Sequence, residues 1–243
     1  MGMATETTEQ SLVQQLQAAF SDNLDSVTLY GSYVRGTFRK GASDINVLII
    51  LKRPQADQLR TFGVNARRFL RSHRVTPLIL TRTEFFSSAD VFPLEYADIR
   101  EVHNTIHGED PTTELDLRTI NLRHQLEHQL RGNLFTLRQM ILATGTSKRA
   151  LRRRLTEWFG PMKAVFRGLV RLAGEENPPT EVDALIRRVN ALYNLEPGPF
   201  LALLQMAGDS SVDPLSLSGE LEVRLSDLSQ YVDSLRTSLG DGG

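Results

Sequence analysis

Apolar residues follow two rhythms along this chain, and the change comes near Pro111. Before it they gather in short runs broken by turn residues. Val27-Thr28-Leu29-Tyr30 is a β-prone run that stops at Gly31-Ser32. Ile45 to Leu51 is almost continuously apolar, the mark of a central strand buried on both faces. Lys52-Arg53-Pro54 ends it, because proline has no N–H to give a ladder. Residues 55–73 then carry Leu59, Phe62, Ala66, Phe69 and Leu70 at helical spacing, and Val75 to Leu80 reads as a third strand. A helix from about Glu9 to Phe20 comes first, after a polar lead-in. This order of elements predicts an α/β or α+β domain.

Beyond Pro111 the period becomes helical. Residues 114–143 place Leu115, Leu122, Leu126, Leu130, Leu134, Leu137 and Ile141 three, four or seven apart. Gly145 is a natural stop and Ser147 the next N-cap. A second helix over 148–173 has Leu151, Leu155, Trp158, Phe159, Met162, Phe166 and Leu169 on its stripe, with Gly160-Pro161 expected to kink or split it. Thr180 caps a helix to Tyr193, and further helices are expected near 197–207 and 214–239. Short connections between such helices predict a bundle. The expected fold is therefore α+β: an N-terminal α/β domain over 1–110 and an all-α helical bundle over 111–243.

Composition narrows the chemistry. The 243 residues include no cysteine, which removes disulfides, thiolate zinc sites and cysteine nucleophiles and suits a cytoplasmic protein. No apolar run reaches the ~18 residues of a membrane span, and the polar, acidic start is unlike a secretory signal. The terminal Gly-Asp-Gly-Gly reads as a frayed end. Net charge is −1, but residues 118–171 hold 12 basic and 2 acidic side chains, whereas 172–243 hold 4 basic and 12 acidic. That polarity is more informative than the total.

The stretch with chemical content is Leu29-Tyr30-Gly31-Ser32-Tyr33-Val34-Arg35-Gly36, followed by Ser43-Asp44-Ile45-Asn46-Val47-Leu48. It resembles the signature of the DNA polymerase β nucleotidyltransferase superfamily: a strand, Gly-Ser, a second glycine, then two carboxylates one residue apart on the next strand. Phe92-Pro93-Leu94-Glu95, His107-Gly108-Glu109-Asp110-Pro111 and the helical segment Gln129 to Arg138 extend the likeness. They are similar to a group of bacterial nucleotidyltransferase-like proteins with an attached helical domain, which brings no specific activity with it. The resemblance implies that Gly31, Ser32, Arg35 and Gly36 border a nucleotide, with Gly31 allowing close approach of the backbone to a triphosphate. Ser32 and nearby N–H groups would donate to phosphate at a helix start, and Gly36 would leave room for the following loop. Asp44 and Asn46, at i and i+2 on a strand, share the face where active members hold divalent metal.

Two of the three carboxylates that the resemblance calls for are missing. Asn46 is neutral where an acid is expected, a weaker ligand for Mg²⁺. The strand Val75 to Leu80 contains no acid to act as third ligand and base; Glu84, Glu95 and Asp98 are the nearest substitutes. A degenerate, nucleotide-binding pseudoenzyme is the first reading, with Mg²⁺ and NTP, or neither, as cofactor. An active enzyme moving a nucleotidyl group from NTP to a hydroxyl is the second.

The third reading rests on Lys148, Arg149, Arg152, Arg153 and Arg154, a dense cluster at a helix start. These cations could contact phosphate or nucleic acid, but pairing with the acidic residues after 172 is favoured. Arg123 and His128 match the loose Arg-x4-His spacing of HEPN-type ribonucleases, a match that chance supplies readily. His103 with His107, and His124 with His128, would share helix faces, without the further ligands zinc needs. A protein partner or a homo-oligomer is compatible with all three readings, and a membrane with none.

Overall fold

The computed structural model describes residues 2–38, 43–196, 198–206 and 208–235, with side chains from Thr8 onward. It divides into two compact units, 1–117 and 118–243.

The first unit is a four-stranded mixed sheet in the order β3-β2-β1-β4. β1 (Leu24–Tyr30) runs antiparallel to β2 (Ile45–Leu51) and to β4 (His103–His107), and β2 runs parallel to β3 (Val75–Leu80). The near-unbroken apolar run of β2 is explained by its place between β1 and β3, with helices over both faces. On one face Ile45, Val47, Ile49 and Leu51 join Leu12, Leu16 and Phe20 of α1 (Gly2–Phe20) and Phe62 of α2 (Ala56–Asn65). On the other, Leu48 and Ile50 pack with Phe85 of α4 (Arg82–Ser87) and Tyr96 and Ile99 of α5 (Pro93–Glu101). Each such strand residue is fully buried, a gain of roughly 1.5–3 kcal/mol apiece.

Several elements differ from the sequence expectation. α1 begins at Gly2, so the polar lead-in is helical. The helix expected over 55–73 is two, α2 and α3 (Arg67–His73), broken at Ala66. β4 was expected as helix and is an edge strand, so His103 and His107 share no helix face. Its sequence has no apolar run, and pairing with β1 decides its conformation.

The second unit contains α6 (Thr119–Thr144), α7 (Lys148–Leu172), α8 (Val182–Tyr193), α9 (Gly198–Gln205) and α10 (Pro214–Ser234). α6 starts five residues later than its apolar spacing suggests, because Leu115 is buried in the core of the first unit beside Tyr96 and Ile99. α7 runs unbroken through Pro161. A proline removes a single N–H, at about 3 kcal/mol, and burial of Trp158, Phe159, Met162 and Phe166 around it outweighs that. The expected ends at 197, 207 and 236–239, and the Gly-Asp-Gly-Gly tail, lie outside the described residues.

Candidate functional site

Tyr30 ends β1, and Gly31 turns the chain with φ +78°. The Arg35 N–H donates to the Gly31 carbonyl at 3.0 Å and the Thr37 N–H to the Ser32 carbonyl at 3.1 Å. Residues 31–36 are therefore overlapping turns, not the start of a helix, and no helix dipole acts there. Tyr33, Val34 and Phe38 anchor the loop to the core under β2, with the Tyr33 and Phe38 rings edge to face at 5.4 Å.

The two glycines have different tasks. A Cβ on Gly31 would lie 2.9 Å from Asn46 Nδ2, so close approach to the β2 side chain requires glycine in addition to its backbone angle. Gly36, at φ +77°, serves the backbone conformation; among the described residues a Cβ there would meet nothing.

Arg35 is 11% exposed, and its Nη1 donates to Glu101 Oε1 at 2.6 Å, while Nη2 lies 3.8 Å from Asp98 Oδ1. The guanidinium thus ties the loop to α5.

Asp44 precedes β2 and Asn46 lies within it, on the face opposite Ile45 and Val47. Asn46 is opposite Tyr30 of β1 and Thr76 of β3. Next along, Tyr30 is opposite His103 of β4. One row across the sheet is therefore Thr76, Asn46, Tyr30, His103. Thr76 occupies the place on β3 where a third acid would stand beside Asn46.

Of the acids considered as substitutes, Glu84 and Asp98 are engaged elsewhere. Glu84 closes a capping box with Thr81: the Glu84 N–H donates to Thr81 Oγ1 at 3.1 Å, and the Thr81 N–H donates to Glu84 Oε2 at 2.7 Å. These bonds hold its carboxyl below the usual range. Asp98 sits beside Arg35. Glu95 lies near Tyr30, whose hydroxyl is pushed up by burial first and then by the charge of Glu95.

Sequence reasoning missed Arg74, at the left-handed C-cap of α3 (φ 53°, ψ 45°). Its Nε donates to Asp44 Oδ1 at 2.8 Å, with Nη2 in ion-pair range of the same oxygen at 2.7 Å, and its carbonyl accepts from the Ile45 N–H at 2.9 Å. Both side chains are nearly half exposed, so the pair contributes at most about 1 kcal/mol. Asp44 and Arg74 are thirty residues apart, and only the parallel β2–β3 register brings them together, so no local pattern announces the contact.

His103 Nε2 is 2.9 Å from Asp110 Oδ2 and 3.1 Å from Thr112 Oγ1, which itself donates to Asp110 Oδ1. Burial works against ionisation of Asp110, but the Thr112 N–H, His103 and the Thr112 hydroxyl together hold its carboxyl below the usual range.

These residues do not fit the metal set that the superfamily signature calls for. One carboxylate carries a guanidinium, its neighbour is an amide, and the third position is a threonine. Among the described residues no three His, Asp or Glu side chains gather to hold a metal ion.

On α7, Lys148 Nζ pairs with Asp213 at 2.9 Å. Arg152 donates to the carbonyls of Met206 and Asp209, both at 2.8 Å, and to those of Ser210 and Val212. Arg149, Arg153 and Arg154 are exposed. On α6, Arg123 is 1% exposed and bonded to Glu127, whereas His128 is exposed, so the two do not form a common surface. A cavity of about 390 Å³ opens between Glu9, Gln10, Val13 and Gln14 of α1 and Ile106 of β4, on the face of the sheet opposite Asn46. No described helix is long and apolar enough to cross a membrane.

A family model described as "Nucleotidyltransferase domain" matches residues 10–129. No curated protein matches the chain. Among solved structures, the chain is similar to the spectinomycin adenyltransferase AAD(9) from Enterococcus faecialis, crystallised with ATP and spectinomycin. Identity is 13% and the TM-score 0.57, over 91% of this chain and 99% of that one, a likeness of fold alone.

Proposed function

The N-terminal unit belongs to the polymerase β-like nucleotidyltransferase superfamily, and from that we propose that the protein binds a nucleoside triphosphate at Gly31–Gly36 and Asp44–Asn46 without efficient nucleotidyl transfer. The observation that carries this reading is the row Thr76–Asn46 beside an Asp44 already bonded to Arg74. In-line transfer between two metal ions needs carboxylates that clamp both ions. A lone carboxylate shared with a guanidinium leaves that clamp unmade. What supports retained binding is the loop before β2: Gly31 keeps the angle and clearance that bring backbone close to a ligand.

The protein then acts through its nucleotide-bound state, as a sensor or as a module that presents that state to a protein partner. The test is titration calorimetry with ATP and GTP alongside an assay of pyrophosphate release. Saturable binding that Gly31→Val removes, with no release above the buffer rate, is the expected result. Steady metal-dependent release abolished by Asp44→Ala would establish an active transferase instead. Absence of binding by any nucleotide at millimolar concentration would overturn both readings.

A further inference from the structure

We propose that Arg74 supplies, from within the chain, the positive charge that a divalent cation would bring to the triphosphate, so that the site takes the nucleotide as the metal-free polyanion. The inference rests on nucleotide binding at the Gly31 loop. It concerns the charge that accompanies the ligand.

Arg74 is placed by more than its side chain. It holds a left-handed backbone conformation, uncommon for a residue with a Cβ, and its carbonyl is tied to the Ile45 N–H. The guanidinium is thereby delivered to Asp44, with Nε donating to Oδ1 and Nη2 in ion-pair range of the same oxygen. An arginine has five N–H donors in a fixed fork, so most remain for a ligand, and the side chain is 45% exposed. Asn46 is two residues along the chain, just inside β2 and roughly 7 Å away at strand spacing, which is within the reach of a polyphosphate.

Charge along the row points the same way. A site that recruits Mg²⁺ needs uncompensated carboxylates; a site that takes a bare triphosphate must lack them. Around Asn46, Asp44 is paired with Arg74 and Thr76 is a hydroxyl, while Glu95 lies by Tyr30 and Asp110 by His103 further along the row. The missing acids and the added guanidinium are one coherent change, because each would be unfavourable without the other. Arg35 does not compete for this task, since Glu101 and Asp98 hold it.

The experiment is calorimetric titration of ATP into the full chain in EDTA and again in excess Mg²⁺, for the wild type, Arg74→Asn, Arg74→Lys and Asp44→Asn. Asparagine tolerates the left-handed backbone, so Arg74→Asn removes the charge with the least strain. Wild-type affinity should change less than about threefold between the two buffers, and Arg74→Asn should lose about tenfold or more in EDTA. Arg74→Lys should fall between them, and Asp44→Asn, which frees the guanidinium from its carboxylate, should bind more tightly than the wild type in EDTA. Wild-type binding that requires Mg²⁺, or an Arg74→Asn protein that binds like the wild type in EDTA, would overturn the proposal while leaving nucleotide binding intact. If Arg74→Asn does not fold, Arg74→Lys and the wild-type comparison decide. Failure of ATP to bind in either buffer would instead remove the binding reading on which the proposal stands.

Discussion

Arg74 and Arg152 both hold oxygen atoms, but they leave different amounts of chemistry available. Arg152, near the start of α7, donates to four carbonyls between Met206 and Val212 and fastens the chain between α9 and α10. Arg74 contacts one carboxylate that is itself nearly half exposed. The carbonyls of Met206 and Val212 are part-buried and need a donor, so removing Arg152 leaves those two acceptors unmet, while those of Asp209 and Ser210 face water. Asp44 without Arg74 would simply be hydrated. A dense run of cations is thus a poorer guide to a ligand site than a single cation whose partner can be exchanged. Arg35 extends the lesson, since it lies within the Gly31–Gly36 loop and is nonetheless largely buried between Glu101 and Asp98.

Substitutions can break this contrast. The largest effect is expected at Arg35→Ala, which takes a largely buried guanidinium away from Glu101 and Asp98; about 3 kcal/mol of stability should be lost in urea unfolding. An Arg35→Ala protein as stable as the wild type would return that residue to the ligand. Arg152→Ala should lower stability by about 2 kcal/mol through its orphaned carbonyls, with ATP affinity unchanged in the fraction still folded. Gly31→Ala should cost about 1–2 kcal/mol, from a backbone angle unfavourable to any Cβ and the contact with Asn46, and should weaken ATP binding as well.

A smaller effect is expected from Asp110. Its carboxyl is held below the usual range in the folded protein, so its contribution is present above the ordinary aspartate pKa and is lost as the pH falls through the folded value. Asp110→Asn should therefore lower the melting temperature at pH 7 and much less near pH 3. The smallest is Arg153→Ala, on the exposed side of α7: less than about 0.5 kcal/mol and no change in ATP affinity. A marked loss of ATP or nucleic-acid binding in that variant would revive the basic helix as a site.

Legibility in the sequence followed how local the determining physics is. β2 was readable to the residue because burial on both faces demands an unbroken apolar run. The place of Asp44 and Asn46 at the head of β2 followed from the apolar run after them, and the absence of an acid on β3 from the sequence itself. β4 was not readable: His103 to His107 lacks apolar alternation, and its conformation comes from β1 across the sheet. The start of α6 was misplaced because Leu115 keeps helical spacing yet is buried in the other unit's core. Pro161 looked like a break because its cost is local while the burial that overcomes it is not. The Asp44–Arg74 contact depends on strand register between distant segments, and Arg74 in isolation is one basic residue among several near Arg71.

Titration of ATP into the wild-type protein, first in EDTA and then in excess Mg²⁺, bears most directly on the claim that this fold has exchanged metal for arginine. The account expects saturable binding in both, with dissociation constants within about threefold of each other. Binding that appears only when Mg²⁺ is present would contradict it, and would mean that Asp44 and Asn46 still recruit the ion.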